Sequence, residues 1–246
     1  MPRTIAIGDI HGEVAHLEAL LGKLPPLDAE DTVVFLGDYV DRGPASREVI
    51  ARVEAFRAAF PGRCVTLRGN HEDAWLRCWK EPDVGFLMPP GNGCRATMQS
   101  FVDCAGLDDP RLAARLLSPR SWLPEETVEW MRRLPTWYED EHAIYVHAGL
   151  EGEGTVWLHP SLGHERHLMW MRECDFWVGY HGKRLVFGHT LTKDLPLDHM
   201  GFFSRLVDDP ADVWFRADLV GIDTGCGKGG FLSAIELPSK QVFESR

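Results

Sequence analysis

The segment TIAIGDIHG, residues 4–12, decides the fold class. Its first four residues, Thr4–Ile7, are a short β-branched and apolar run that predicts a buried strand. Gly8 and Asp9 follow at once, so a turn with polar side chains comes directly after the strand. The carboxyl end of a strand is the edge at which open α/β sheets bind ligands. The segment therefore predicts a ligand site at the end of the first strand.

The same arrangement recurs at four later positions. Strands are predicted at 32–36, 64–67, 143–147 and 185–187. The polar clusters at their ends are GDYVDRG (37–43), RGNHE (68–72), HAG (147–149) and GHT (188–190). Because these clusters share the carboxyl-end position, we expect all five to converge on one site.

Helical spacing of apolar residues separates the first three strands. These helices are predicted at 13–24, 45–59 and 72–80. Three βα units favour a mostly parallel sheet with helices packed on it. A further strand is predicted at 136–139, and residues 217–223, 230–237 and 241–244 are expected to form an antiparallel terminal set.

Residues 82–134 interrupt this alternation. They contain no clear strand, but helix-like pieces occur at about 95–105, 110–118 and 124–133. Trp122, Trp130 and several leucines make a packed helical insertion more plausible than a linker. Its place between the RGNHE and HAG clusters would suit either a packing role or a wall over the site.

Composition excludes several classes of function. The 246 residues suit one large domain or two small ones, and 26 Lys+Arg against 37 Asp+Glu give a net charge of −11. So acidic a chain lacks the basic field of a general nucleic-acid or membrane-surface binder. The six cysteines form no C-x-x-C pair, and the N-terminus does not have the pattern of a signal peptide. We therefore expect a reduced cytoplasmic protein.

The polar clusters contain the ligand types that divalent metals use. Carboxylate, imidazole and amide groups suit manganese, iron or zinc, and there are enough of them for two ions with one bridging carboxylate. The residues concerned are Asp9, His11, Asp38, Asp41, Arg42, Arg68, Asn70, His71, His147 and His189.

The series GDIHG, GDYVDRG, GNHE, HAG and GH resembles the motif series of the phosphoprotein phosphatase family of dinuclear metallophosphoesterases. The resemblance covers about residues 3–237. It implies an α/β fold (α+β in some schemes), a four-layer β-sandwich flanked by helices. On this basis residues 1–246 are expected to form a single metallophosphoesterase catalytic domain, with the helical insertion at about 82–134.

The resemblance also implies roles in metal binding. Asp9 and His11 would bind one metal, and Asp38 would bridge both. The second metal would be completed by Asn70, His147 and His189. The implied cofactors are two divalent ions, manganese in the first place, with iron or zinc as alternatives.

The implied reaction is direct attack by a bridging metal-bound hydroxide, without a phospho-enzyme. His71 resembles the family's general acid, and Asp41 resembles the carboxylate that orients it.

The resemblance implies further contacts with the substrate phosphate. Arg42 and Asn70 would bind phosphate oxygens. Arg172, in LMWMRE, resembles a second phosphate-binding arginine, with Arg166 and Arg184 as competitors.

Asp41 bears on the choice of substrate. Protein phosphatases of the family carry GDxxDRG, whereas the similar symmetrical diadenosine tetraphosphate hydrolases have Ala in place of this Asp. The chain length and the segment GIDTGCGKGG (221–230) resemble the bacterial and phage group, which accepts phosphoserine, phosphothreonine and phosphotyrosine. The expected substrate is thus a phosphorylated protein or peptide. A dinucleoside polyphosphate or other nucleotide is the alternative, and a non-enzymatic scaffold with a decayed site is a third hypothesis.

Other polar residues allow simpler interpretations. Arg68 is equally compatible with a structural ion pair and with substrate contact, and Asp223 is interpreted as a turn or supporting residue. His164 and His167, in HERH, are interpreted as surface histidines, with substrate contact as the less favoured alternative.

Overall fold

A computed structural model describes residues 2–154, 156–196 and 212–246, and two five-stranded sheets form the centre of this part. The strands, in chain order, are β1 (Thr4–Ile7), β2 (Thr32–Phe35), β3 (Arg63–Thr66), β4 (Trp137–Glu139), β5 (Ile144–Val146), β6 (Gly152–Glu153), β7 (Val156–Trp157), β8 (Leu185–Phe187), β9 (Trp214–Arg216), β10 (Leu219–Gly221), β11 (Ser233–Leu237) and β12 (Val242–Glu244). The α-helices are α1 (Val14–Leu21), α2 (Ser46–Ala59), α3 (Asn70–Lys80), α4 (Val84–Leu87), α5 (Cys94–Phe101), α6 (Asp109–Leu116), α7 (Glu125–Arg133), α8 (Glu165–Trp170) and α9 (Cys174–Gly179).

Each sheet has a parallel centre with antiparallel strands at its edges. The first sheet has the order β12-β11-β1-β2-β3, in which β1, β2 and β3 are parallel. The second has the order β4-β5-β8-β10-β9, in which β5, β8 and β10 are parallel. The parallel strands of each sheet therefore present their carboxyl ends on one side.

Alternate residues of each strand pack into different layers. In β1, Ile5 and Ile7 belong to the core that also contains side chains of α1 to α7, whereas Ala6 belongs to the core between the two sheets. In β5, Tyr145 lies between the sheets, and Ile144 faces α8 and α9. This two-residue period produces helix, sheet, sheet and helix layers, and it confirms the predicted four-layer α/β sandwich.

Residues 82–134 are helical, as the sequence predicts. They form α4 to α7 with 3₁₀ turns at 90–92 and 119–121. Their apolar side chains join the core on the outer face of the first sheet. One contact is between Trp122 and Trp75 of α3, whose rings meet edge to face with centroids 5.3 Å apart. The insertion therefore packs directly over the elements that follow β2 and β3.

The predicted C-terminal antiparallel set was wrong for its first strand. β10 lies in the second sheet, parallel to β8, whereas β11 and β12 are antiparallel strands of the first sheet. All three strands are short apolar runs, and such a pattern does not specify which sheet a strand joins. The helix after β3 begins at Asn70 and not near residue 72, so Asn70 and His71 lie in its first turn. No described helix has the length and apolar character needed to span a bilayer.

Candidate metal centre

The five polar clusters meet where the parallel strands of the two sheets end. The loops after β1, β2 and β3 supply one side, and the loops after β5 and β8 supply the other. We call the assembled side chains the strand-end site. Its residues are Asp9, His11, Asp38, Asp41, Arg42, Asn70, His71, His147 and His189, and all except Arg42 are buried.

The backbone is strained where it carries these side chains. Seven non-glycine residues in the described part of the chain have positive φ, and five of them belong to the strand-end site. Such conformations are costly for residues with a Cβ and occur mainly where the surrounding structure enforces them for function. The five residues are His11, Asp38, Asp41, Arg42 and His189.

Two glycines allow the backbone to approach the carboxylates closely. A Cβ at Gly69 would lie 2.1 Å from Asp38 Oδ1, and one at Gly188 would lie 2.0 Å from Asp9 Oδ1. Both distances are far below van der Waals contact, so a side chain at either position would displace a carboxylate of the site. The glycines in RGNHE and GHT are thus explained by the space that Asp38 and Asp9 occupy.

Asp38 lies between two imidazole lone pairs. His11 Nδ1 donates to the Val40 carbonyl (2.9 Å), so its Nε2 carries a lone pair, and this atom lies 3.3 Å from Asp38 Oδ2. His147 Nδ1 donates to the Leu36 carbonyl (2.9 Å), and its Nε2 lies 3.5 Å from Asp38 Oδ1. Two lone pairs therefore face a buried carboxylate with no proton between them, an arrangement that a cation would stabilise.

Two imidazole nitrogens lie close to the Asn70 amide oxygen. Asn70 Oδ1 lies 3.0 Å from His147 Nε2 and 2.7 Å from His189 Nδ1. The Nε2 atoms of His11 and His189 are buried and have no hydrogen-bond partner among the described residues. Ligand atoms that all bind one ion at about 2.0–2.2 Å lie at separations of this size. The side chains present therefore fit divalent cations on both sides of Asp38.

The geometry groups the candidate ligands around Asp38. Two sets have ligand atoms within 4.8 Å of one another, namely Asp9, Asp38 and His147, and His11, Asp38 and His71. Asp38 belongs to both sets, which is the position of a bridging carboxylate.

Electrostatics separates the histidines into two kinds. Burial lowers the pKa of His11, His147 and His189. For His11 and His189 the pKa falls well below the ordinary value of histidine. These imidazoles are neutral at pH 7 and can offer a lone pair to a metal.

The pKa of His71 shifts in the opposite direction. Burial alone would lower its pKa, but the carboxylates of Asp38 and Asp41 outweigh burial and raise it. His71 therefore retains its proton under conditions in which the other site histidines are neutral.

The carboxylates also indicate missing positive charge. Burial raises the pKa of Asp9 well above its usual range, and the charges of Asp223 and Asp38 act in the same direction. Burial also raises the pKa of Asp223. At Asp38 burial acts likewise, but the surrounding histidines and Arg42 outweigh it and lower the pKa. Three buried carboxylates in one place are costly unless cations lie among them.

His71 and Asp41 form a closely held pair. His71 Nδ1 lies 2.6 Å from Asp41 Oδ2, and its other nitrogen, Nε2, lies 3.3 Å from Arg42 Nη2. Asp41 also accepts from Trp75 Nε1 (3.0 Å) and from Thr97 Oγ1 (2.6 Å), both of which are buried. The orientation of the imidazole is therefore fixed through Asp41.

No sequence motif singles out Trp75 and Thr97. Their role is visible only in the structure, because Thr97 belongs to α5 of the insertion and reaches Asp41 from 56 residues away in sequence. Glu72 was also missed, although it lies inside GNHE. Its carboxylate accepts from the backbone N–H groups of Asp38 (2.9 Å), Tyr39 (2.9 Å) and Gly69 (3.0 Å), so it fixes the loops after β2 and β3 to each other.

The candidate phosphate-binding arginines differ in position. Arg42 lies beside His71, as described above, and Arg172 donates to the His189 carbonyl (3.1 Å) and to Thr190 Oγ1 (3.4 Å). Arg166 lines a cavity of about 280 Å³ together with Asn70 and His71. Arg184 precedes β8, at the end of that strand opposite to His189.

The structure shows the contacts of Arg68 and Asp223, whose roles the sequence did not decide. Arg68 donates to the carbonyls of Met131 (3.2 Å) and Leu134 (3.0 Å), so it closes the C-terminal end of α7. Asp223 Oδ1 accepts from the Gly225 N–H (3.0 Å) in a turn whose carboxylate faces Asp9. Arg68 thus has the structural role, and Asp223 supports the site from a turn.

Comparison with known proteins gives two kinds of relative. A symmetrical bis(5'-nucleosyl)-tetraphosphatase from Nitrosospira multiformis is 24% identical over 292 residues, covering 98% of this chain and 94% of that protein. The serine/threonine-protein phosphatase C23G10.1 from Caenorhabditis elegans is 45% identical over 67 residues, which are 26% of this chain and 14% of that protein. A solved structure with a provisional assignment as a diadenosine tetraphosphatase has a TM-score of 0.59 at 20% identity, covering 98% of this chain and 92% of its own, and shows the shared fold.

The family is established by a match to a family sequence model. The sequence model of the calcineurin-like phosphoesterase family matches residues 2–193, which include all the side chains of the strand-end site. This chain belongs to the calcineurin-like phosphoesterase family and is a metal-dependent hydrolase.

Proposed function

We propose that the chain is a metal-dependent phosphomonoesterase that acts on phosphoserine and phosphothreonine in proteins, and also on phosphotyrosine. The observation that carries this proposal is the His71–Asp41 contact of 2.6 Å. An alkoxide is a poor leaving group and needs a proton from a positioned acid. A nucleotide leaving from a polyphosphate needs little protonation, so a braced, protonated histidine suits a phosphomonoester better.

The metals of this proposal would be held on both sides of Asp38. Asp9, His11 and Asp38 would hold one cation, and Asp38, Asn70, His147 and His189 would hold the other. Manganese is the proposed metal, with iron or zinc as alternatives. When bound, two such ions would polarise a phosphoryl group and lower the pKa of water, which is the chemistry that hydrolysis at neutral pH needs.

The chain's own residues perform the remaining steps. Arg42 and Arg172 would bind the phosphoryl oxygens from opposite sides, with the Asn70 amide as a further contact. His71 would donate the proton on Nε2 to the leaving oxygen while Nδ1 stays paired with Asp41. The Arg42 guanidinium, 3.3 Å from Nε2, opposes positive charge on the imidazole, but the carboxylates of Asp38 and Asp41 outweigh it and keep the pKa of His71 raised, which supports the acid role.

We further propose that residues 1–246 form one catalytic domain of the bacterial or phage type, located in the cytoplasm. The helices of the insertion share a core with the first sheet, which supports a single unit. The net charge of −11 disfavours nucleic acid and membrane surfaces as partners, and the proposed partner is a phosphorylated protein or peptide.

A second candidate is hydrolysis of diadenosine tetraphosphate or another nucleotide at the same site. It is favoured by the nearly full-length similarity to the symmetrical tetraphosphatase. Comparing kcat/KM of the manganese-loaded protein on phosphoserine, phosphothreonine and phosphotyrosine peptides with that on diadenosine tetraphosphate separates the candidates. We expect a chelator-sensitive preference for the peptides. Preference for the dinucleotide would overturn the proposal, and inactivity on both would favour the scaffold hypothesis.

A further inference from the structure

A second group of metal-ligand side chains lies apart from the strand-end site. Glu151 is in the loop after β5, His164 immediately precedes α8, and His167 lies within α8. His164 Nδ1 is 2.8 Å and His167 Nδ1 is 3.7 Å from Glu151 Oε2. The ligand atoms of the three residues lie within 4.8 Å of one another.

The local backbone fixes this arrangement. The His164 N–H donates to Glu151 Oε2 (2.6 Å), which holds the carboxylate beside α8. The His167 N–H donates to the His164 carbonyl (3.0 Å), which sets the separation of the two histidines by one helical turn. Both imidazoles therefore present Nδ1 to the same carboxylate without any rearrangement of the chain.

His167 supplies an independent indication that a ligand is missing. Its Nδ1 is buried and has no hydrogen-bond partner among the described residues, and Glu151 Oε2 at 3.7 Å is beyond hydrogen-bond distance. A buried polar nitrogen without a partner is costly, and a cation between Nδ1 and the carboxylate would satisfy it. The His164 side chain is 82% exposed, so water has access to a remaining coordination position.

The side-chain types of the group suit a cation. Glu151 supplies a carboxylate oxygen, and His164 and His167 supply imidazole nitrogens, which are ligand types that borderline divalent cations use.

We propose that Glu151, His164 and His167 form a third divalent-cation site, selective for zinc-like ions. Two imidazole nitrogens and one carboxylate oxygen, with an open fourth position, are a typical zinc ligand set. An ion there would join the loop after β5 to α8, the helix that carries Arg166 to the cavity beside His71. The proposal does not depend on the substrate of the strand-end site.

The test is metal stoichiometry. Metal-stripped full-length chains are titrated with Zn²⁺ against a chromophoric chelator, and bound Co²⁺ is followed by its visible absorption. We expect three ions per wild-type chain and two per His164→Ala/His167→Ala chain. His159→Ala is the matched control, because His159 also pairs with a carboxylate, that of Glu139 at 2.8 Å, but without a second histidine. This control should bind three ions.

Two further variants keep the outcomes distinct. Asp38→Asn, in the strand-end site, should retain one ion and lose two. His164→Gln/His167→Gln serves as a second double variant if the alanine variant unfolds before wild type in a thermal scan. Equal stoichiometry in wild type and the double histidine variants would overturn the third site. If the double histidine variant loses all its bound metal and Asp38→Asn loses none, the dinuclear proposal is overturned and the third site is supported.

Discussion

The two sheets contribute differently to the strand-end site. On the first-sheet side, Glu72 accepts from the loops after β2 and β3, and Thr97 and Trp75 hold Asp41. On the second-sheet side, the contacts of Arg172 within the described residues are one carbonyl at 3.1 Å and one hydroxyl at 3.4 Å. The His71–Asp41 pair on the first-sheet side is thus organised by several protein contacts, whereas Arg172 on the second-sheet side is held by fewer and longer ones.

The largest effect should come from the organised side. His71→Asn removes the proposed acid while leaving the Asp38 carboxylate in place, so metal content should be unchanged. We expect kcat on an alkyl phosphate such as a phosphoserine peptide to fall roughly 10²–10⁴-fold, the usual contribution of a general acid. On an aryl phosphate such as p-nitrophenyl phosphate the loss should be below about tenfold, because that leaving group needs little protonation.

Steady-state kinetics on both substrates, with metal analysis of each preparation, measures the difference. Equal losses on the two substrates would contradict the acid role. Loss of an ion on substitution would instead make His71 a ligand, as its proximity to His11 and Asp38 allows.

On the second-sheet side, Arg172→Ala should lower activity by weakening the binding of the substrate phosphate. A charged hydrogen bond contributes roughly 1.5–3 kcal/mol, so kcat/KM should fall about 10–100-fold, and it should fall similarly on alkyl and aryl substrates. Arg172→Lys should recover little, because an ammonium group cannot reproduce the two parallel N–H bonds of a guanidinium. Kinetics on the same two substrates decides between the arginines. An unchanged Arg172→Ala enzyme, with the loss appearing in Arg166→Ala, would assign the phosphate contact to Arg166.

Thr97→Val tests whether the insertion orients the acid. Valine matches threonine in shape and removes the Oγ1 hydrogen bond to Asp41 of 2.6 Å. We expect about a tenfold loss on the alkyl phosphate, little change on the aryl phosphate, and recovery in Thr97→Ser. Equal losses on both substrates, or no recovery with serine, would show that Thr97 matters for packing only.

The sequence identified some of the residues used in these predictions and missed others. Each ligand candidate stands directly after a strand in a short motif, and local patterns of that kind are readable without a structure. Thr97 carries no such signal, because its contact with Asp41 depends on how α5 packs on α2. Arg68 shows a related limit, since its place before GNHE left a structural ion pair and substrate contact equally open, whereas its guanidinium reaches the carbonyls at the end of α7.

The fold shows the same limit, because local sequence patterns do not report long-range contacts. The short apolar runs and the repeated βα units predicted sheets with helices packed on them, and the family resemblance implied the four-layer sandwich. The partner of β10 was not predictable, because a short apolar strand packs equally well in either sheet. Long-range pairing is determined by the whole core, and a local pattern contains no information about it.

The smallest predicted effect is on the free energy of unfolding. It compares one ion pair in each sheet, both of them away from the strand-end site. Asp31, which precedes β2, accepts from Arg3 Nε (3.0 Å) and Nη2 (2.6 Å) and is 3% exposed, whereas Glu139 of β4 pairs with Lys183 (2.9 Å) at the surface. Burial would raise the pKa of Asp31, but the contacts with Arg3 outweigh burial and lower it. A carboxylate with a lowered folded-state pKa stabilises the fold above its unfolded pKa of about 3.9, and this stabilisation is lost as pH falls through the folded pKa.

Asp31→Asn should therefore lower the free energy of unfolding by about 1–2 kcal/mol at pH 7, and the difference from wild type should shrink towards pH 3. Glu139→Gln should change it by less than about 0.5 kcal/mol at either pH, since exposed pairs are screened by solvent. Urea unfolding of the three proteins at both pH values measures this. A larger loss in Glu139→Gln than in Asp31→Asn would reverse the comparison, because the second sheet would then be the one held by its charged contacts.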